Sequence, residues 1–202
     1  MKVQKVNYWN LLARALTNAF SPPLVSFFTF LVAFSFEGSI DYFQVLIALF
    51  CTTLLPLFYV MHLLNKGKVS DWHVTDRRER LRPIAITVVG ALVGFFALQF
   101  LDAPNSVKTL MFLYFSNSAL LLTITLFWKV SLHTYTISAA AASLSYLFGL
   151  AATPFYPLTI AVIWARKKLK AHSWAQLLMG TLLGYALTIL QVAVLLPWIG
   201  LL

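Results

Sequence analysis

Acidic charge is nearly missing from this chain, which has six Asp and Glu among 202 residues; charged residues of both signs make up only 10%. That excludes a soluble globular surface, where about a quarter of all residues are ordinarily charged. One cysteine, Cys51, excludes an intramolecular disulfide, and its apolar surroundings mark it as packed or lipid-facing. Paired aspartates of the kind that hold Mg²⁺ and a diphosphate are lacking. Asp71, His73, Asp76 and Glu79 match no strong ligand spacing, so neither a metal nor a cofactor is expected. No stretch is polar and long enough to fold alone, and no internal repeat stands out. What remains is apolar: hydrophobic residues make up 60% of the chain and the mean hydropathy is +0.83. Such a chain is an integral membrane protein with one membrane domain.

A spanning helix needs about 20 apolar residues. Pro22–Phe36, Phe43–Leu64, Pro83–Leu101, Thr109–Trp128, Leu132–Ala151, Pro154–Trp164 and Trp174–Leu202 are the candidates, the first and sixth being short. The expected fold is all-α: a polytopic membrane helical bundle of six to seven transmembrane helices covering residues 22–202. The Ala139–Ala142 run allows close helix packing, and Pro154 and Pro157 mark a helix start. Ahead of the bundle, residues 1–21 lack the continuous apolar core of a signal peptide, because Asn7, Asn10 and Arg14 interrupt it. Trp9, Leu12, Leu16 and Phe20 recur at helical spacing opposite Lys5, Asn10 and Arg14. That pattern suits an amphipathic helix in the membrane interface, or one packed on the bundle.

If the runs cross alternately, fourteen of the fifteen Lys and Arg residues share one side: Lys2, Lys5, Arg14, Lys66, Lys68, Arg77, Arg78, Arg80, Arg82, Lys129, Arg166, Lys167, Lys168 and Lys170. Lys108 stays opposite with Glu37, Asp41 and Asp102. By the positive-inside rule the basic side, with the N-terminus, is cytoplasmic, as expected in a bacterial inner (plasma) membrane. The net charge of +9 is therefore a topology signal. It implies anionic membrane lipids as partners and no nucleic acid, because no basic soluble module exists to carry one.

Three helices begin on that side, at Pro83, near Ser131 and at Ser173. A helix start exposes unpaired N–H groups and the positive end of a dipole, which together favour an anion. Arg82 and Arg166 offer planar forks, Ser131 a hydroxyl, and His133 and His172 groups that exchange protons or attack near neutral pH. The default readings are border arginines that mark topology, a packed His62, and a His73 paired with Asp71 or Asp76. Asp76 to Arg82 reads as a short amphipathic helix with a solvated charged face, ending before Pro83.

The three segments together resemble the type 2 phosphatidic acid phosphatase superfamily of lipid phosphatases, in a divergent bacterial branch. Its motifs are Lys-x6-Arg-Pro, Pro-Ser-Gly-His and Ser-Arg-x5-His-x3-Asp. Here Thr75 to Pro83 ends in Arg82-Pro83, residues 130–133 read Val130-Ser131-Leu132-His133, and residues 165–176 read Ala165-Arg166-x5-His172-x3-Gln176. The resemblance implies a lipid phosphatase-like bundle hydrolysing a lipid or polyprenyl phosphate, monoester or diphosphate. His172 would be the nucleophile that becomes a phosphohistidine, and His133 the acid for the leaving alcohol. Arg82, Ser131 and Arg166 would hold phosphate oxygens, with Arg77 or Arg78 reaching in.

Three departures bear on that expectation. Thr75 stands for the lysine, Leu132 for the glycine, and Gln176 for the aspartate that would orient His172. Gln176 also fits a capping box with Ser173. The alternative is a catalytically degenerate relative, acting as a lipid-binding protein or as a subunit of a larger membrane complex. A transporter is disfavoured because the charges sit at the membrane borders instead of mid-membrane.

Overall fold

The computed structural model describes residues 7–37, 41–149 and 154–198, and among these all regular structure is helical. Lys2, Lys5, Ala151 and the chain end from 199 to 202, all part of the sequence expectations, lie outside the described residues. We label the helices α1 (Tyr8–Ala19), α2 (Pro22–Ser35), α3 (Tyr42–Asn65), α4 (Leu81–Phe100), α5 (Asn105–Phe127), α6 (Leu132–Phe148), α7 (Phe155–Lys168) and α8 (Trp174–Leu195). One wide π turn interrupts α3 at Phe50–Leu54 and another ends α8 at Gln191–Leu195.

The seven apolar runs fold as helices within a few residues of their expected limits, but fewer of them meet the length of a span. Among the described residues only α3, α4, α5 and α8 are long and apolar enough to cross a membrane, or five spans if α1 and α2, bent by 56° at their junction, count as one. The expected six to seven fall to four or five because α2 and α7 have 14 residues and α6 has 17. At 1.5 Å per residue these reach about 21 to 26 Å, short of a 30 Å hydrocarbon core. Here α1 packs on α7 through small residues, Ala13 and Thr17, with Trp9 edge-on to Trp164 at 6.1 Å. Tyr8, Leu11 and Leu12 stay exposed.

Two helix pairs organise the bundle, α4 with α5 and α6 with α8. The second pair is unusually close. A Cβ on Gly180 would lie 2.5 Å from Thr134 Oγ1 and 2.9 Å from the Ser131 carbonyl; one on Gly184 would lie 2.5 Å from the Tyr135 carbonyl. Only hydrogen at these positions lets the backbones approach so nearly. Cys51, half a turn into the π segment of α3, is packed against Gly90 and Gly94 of α4.

The basic breaks do converge at one end. Arg77 Nη1 donates to the carbonyls of Thr125 and Leu126 at 3.0 and 2.5 Å. His73 Nε2 meets Asn18 Oδ1 at 3.1 Å, and the Ser131 N–H donates to the Gln176 carbonyl at 3.3 Å. At the other end Lys108 Nζ lies 3.7 Å from Asp102, and Ser106 bonds Glu37. Midway, Asn117 is held by Tyr135, Thr188 and Gln191, so the polar groups buried at mid-depth are mutually satisfied.

Candidate functional site

The loop from Lys66 to Arg80 makes the first wall. Asp71 accepts the N–H groups of His73 at 2.7 Å and Thr75 at 3.0 Å, closing a tight turn in which Val74 takes φ 46°. A β-branched residue in that region is strained, held here by burial of its side chain beside Leu63 and Val69. The turn aims the Val74 and Thr75 carbonyls at Arg80, whose Nε and Nη2 donate to them at 2.6 and 3.1 Å, while Nη1 donates to the Val130 carbonyl at 2.9 Å. Arg80 is 2% exposed. Three of its five N–H groups lock the loop to the start of α6, and two remain for a ligand.

Arg82 and Arg78, both expected to hold phosphate, are exposed, and the buried arginine of this segment is Arg80. The reason is angular: α4 begins at Leu81 and turns its Pro83–Ile84 side inward, which leaves Arg82 facing out. No short helix spans Asp76 to Arg82 either. Asp76 accepts the Arg78 N–H at 2.7 Å, and Glu79 accepts the Ser70 N–H and hydroxyl at 2.9 Å, so both acids fasten turns.

The third segment explains its own spacing. The N–H groups of Lys170 and Ala171 donate to the carbonyls of Lys167 and Arg166, with Lys170 at φ 55°: the Schellman ending of a helix. That ending reverses the chain at once. His172 therefore follows directly beside Arg166, and Ser173 caps α8 with the full reciprocal box to Gln176. Gln176 Oε1 serves both expected roles. It accepts the Ser173 N–H at 3.2 Å and lies 3.1 Å from His172 Nδ1. A carbonyl oxygen only accepts, so Nδ1 carries the proton and the lone pair sits on Nε2.

His172 Nε2, His133 Nε2 and Arg166 Nε are buried without a hydrogen-bond partner among the described residues. Native proteins seldom leave buried polar atoms unpaired. His133 is within electrostatic reach of Arg166, His73, His172 and Arg80, and its ring meets His73 edge-on at 5.5 Å. Ser131 is fully buried and caps α6, its Oγ accepting the Thr134 N–H at 3.4 Å while its own proton stays free to be donated. Leu132 lines the neighbouring cavity.

The charges match the geometry. Burial, then Arg80 and Arg166, push His172 down to about 3 against the opposing bond to Gln176. Burial and Arg166 lower His73, partly offset by Asp71. Burial and then Arg166 bring Arg80 down to about 10, and burial followed by Arg80 lowers Lys129. Asp71 is raised by its own burial but held low on balance by the hydrogen bonds from Thr75 and His73. The pocket is thus two buried guanidiniums and three neutral imidazoles, with Asp71 the carboxylate that reaches all three of Arg80, Arg166 and His73.

Two members were not found by reading the sequence. His73 is expected only to pair with Asp71 or Asp76, and Arg80 is one arginine among the four from Arg77 to Arg82. A turn followed by Leu81 at the helix start is the only hint for Arg80; nothing local marks His73.

The fold and pocket define a polytopic helical membrane protein with a buried cationic site at one membrane face. Compared with protein-family models, curated proteins and solved structures, the chain finds no match.

Proposed function

We propose that this pocket hydrolyses the phosphate ester of a lipid alcohol through a phosphohistidine, as its resemblance to the type 2 phosphatidic acid phosphatases implies. One observation carries the reading: two imidazole nitrogens and a guanidinium nitrogen are buried without hydrogen-bond partners among the described residues, beside the second buried guanidinium of Arg80. A phosphoryl group accepts from the Arg166 guanidinium and presents its phosphorus to the lone pair on His172 Nε2. His172 Nε2 attacks phosphorus and forms the N–P bond while the P–O bond to the alcohol breaks. His133, which takes up a proton beside the negative charge of the bound phosphate, delivers it to the departing oxygen. Arg166 and the two spare N–H groups of Arg80 hold the equatorial oxygens, with the Ser131 hydroxyl donating beside them. Water then attacks the phosphohistidine, His133 takes its proton, and phosphate leaves with His172 restored.

Gln176 keeps His172 in the attacking tautomer without adding charge. In serine proteases, making the orienting aspartate neutral costs about 10⁴ in kcat, mainly through the wrong tautomer. Here Oε1 enforces the right one, so that part of the loss is avoided.

Phosphate release from a panel of lipid phosphates tests the reading. His172→Ala should abolish it, and His133→Ala should leave a base-stable phosphorylated protein detectable by ³¹P NMR. Unchanged release by His172→Ala would remove the mechanism. The neutrality of Gln176 favours a second reading, a non-catalytic binder of lipid phosphates or complex subunit, which predicts binding with no turnover by the intact chain. On either reading the positive-inside count assigns the pocket to the cytoplasmic face of an inner membrane. A cysteine at position 168 labelled only from outside the cell would reverse that orientation.

A further inference from the structure

His73 has no role in the transfer or the hydrolysis, yet it stands beside the acid. Its ring meets the His133 ring edge-on with centroids 5.5 Å apart, and both rings line the cavity that the bundle holds beside the cluster. The two differ in their access to water. His133 is 3% exposed with Nε2 buried and unpaired among the described residues, whereas His73 is half-buried on the loop ahead of α4. From α1, Asn18 Oδ1 lies 3.1 Å from His73 Nε2. A carbonyl oxygen accepts only, so Nε2 carries the proton and Nδ1 keeps its lone pair. The charged and titratable groups around His73 are Arg166 from α7, His133 from α6 and Asp71 from its own turn. Burial and then Arg166 favour the neutral ring, and Asp71 opposes them.

Resting on the hydrolytic reading above, we propose that His73 is a proton relay, carrying one proton between surface water and the buried His133 in each catalytic cycle. His133 lies among Arg166, His73, His172 and Arg80, so it holds a proton only while phosphate brings negative charge to the cluster. A proton must then enter as the substrate binds and leave as phosphate departs. Burial denies His133 direct exchange with water. His73 Nδ1 takes a proton from water and, through one bridging water, passes it to His133, returning to the neutral ring with Nε2 still bonded to Asn18. His133 gives that proton to the leaving oxygen and regains one from the attacking water. When phosphate leaves, the proton returns through His73 to solvent: one in, one out, and both rings end as they began. Asn18 is the positioning residue of the relay, because it fixes which nitrogen exchanges.

The test follows the proton without turnover. Sulfate carries two negative charges and no proton of its own near neutral pH, so mixing it with the intact protein and a pH-indicator dye in weakly buffered detergent reports any proton the protein takes up. Uptake is expected in wild type, slowed about tenfold in His73→Gln and restored by added imidazole. Glutamine still donates to Asn18 but cannot titrate, so Tm should stay near that of wild type. His73→Ala, which leaves room for imidazole, should be slowed likewise and rescued further, as a folding defect would not be. In turnover both variants should lower kcat about tenfold and leave KM within about twofold, a smaller loss than the roughly 10²–10⁴ of a missing general acid. No uptake by wild type, uptake at the wild-type rate in His73→Gln, or failure of imidazole to rescue either variant overturns the relay. So does a raised KM at unchanged kcat, which would make His73 a holder of phosphate. Uptake that depends on His73 in a protein releasing no phosphate leaves this inference standing and removes hydrolysis, and phosphate release with uptake indifferent to His73 does the reverse.

Discussion

Gly180→Ala separates the helix contact from the chemistry it supports. The added Cβ would meet the Ser131 carbonyl at 2.9 Å, where ordinary contact starts at 3.4 Å, so α8 must retreat from α6 by about 0.5 Å. Backbone oxygen cannot rotate away. Thr134 Oγ1, at 2.5 Å, can rotate, but it would give up its donation to the Leu177 carbonyl at 3.1 Å. Overpacking of this kind costs about 1–3 kcal/mol and the lost hydrogen bond about 1 kcal/mol more. For a chain of this size, about 2–4 kcal/mol lowers Tm by roughly 4–16 °C.

The same retreat moves His172, fixed to the start of α8, away from His133 at the start of α6. A misplacement of 1 Å costs about a hundredfold in rate, so half of that costs about tenfold. Thermal denaturation in detergent and phosphate release measure the two effects on one preparation. Leu178→Ala, on the exposed face of the same helix, is the control and should move neither by much. A Gly180→Ala protein with wild-type Tm would refute the claim that the close contact holds the helices in register. Normal Tm loss with unchanged turnover would refute only its link to the site.

Arg80→Lys should lower phosphate release at least tenfold, because an ammonium cannot span the three carbonyls that position the guanidinium, whereas Arg82→Lys should stay within about twofold of wild type. Equal losses would mean that burial does not distinguish the two. His172 titrates at about 3 when folded and near 6.5 when unfolded, so the unfolded chain binds the extra proton first. Stability from this group is complete above pH 6.5 and falls as pH drops toward 3, a decline that thermal melts between pH 4 and 8 should show and His172→Gln should flatten. Gln176→Glu keeps both hydrogen bonds and adds a negative charge, raising the His172 pKa. Histidine NMR should report that rise, and the acid limb of kcat/KM, once corrected for substrate ionisation, should move up with it.

The sequence displayed the apolar runs, the Ser173–Gln176 capping box and the Arg166-x5-His172 spacing, because each depends on residues within two helical turns. Convergence of the basic breaks was legible for a similar reason: alternation of the runs determines the end of the bundle each break occupies. Arg80 was not, because whether an arginine faces inward at a loop-to-helix junction depends on where the helix starts, and the expected start at Pro83 lies two residues past the observed one at Leu81. His73 was hidden by a left-handed valine, a conformation that no residue preference announces. The number of spans was legible only in part, because hydropathy registers α2, α6 and α7 as apolar without showing their lengths among the described residues.

The neutral residue at position 176 has an electrostatic logic in the proposed reaction. Arg80, Arg166 and Lys129 all raise the cost of a positive charge on His172, with burial the largest contribution. A carboxylate at 176 would offset those charges and favour the protonated ring, which cannot attack phosphorus. With Gln176 the ring stays neutral across the physiological range, and its tautomer is still fixed. What is forgone is stabilisation of the positive phosphohistidine after transfer. The bound phosphoryl group brings its own negative charge at that stage, shared with the same arginines. Nucleophile readiness and intermediate stability are therefore divided between the protein and its substrate, and the Gln176→Glu variant should improve the second at the expense of the first: more accumulated phosphohistidine near neutral pH, and slower attack in the acid range.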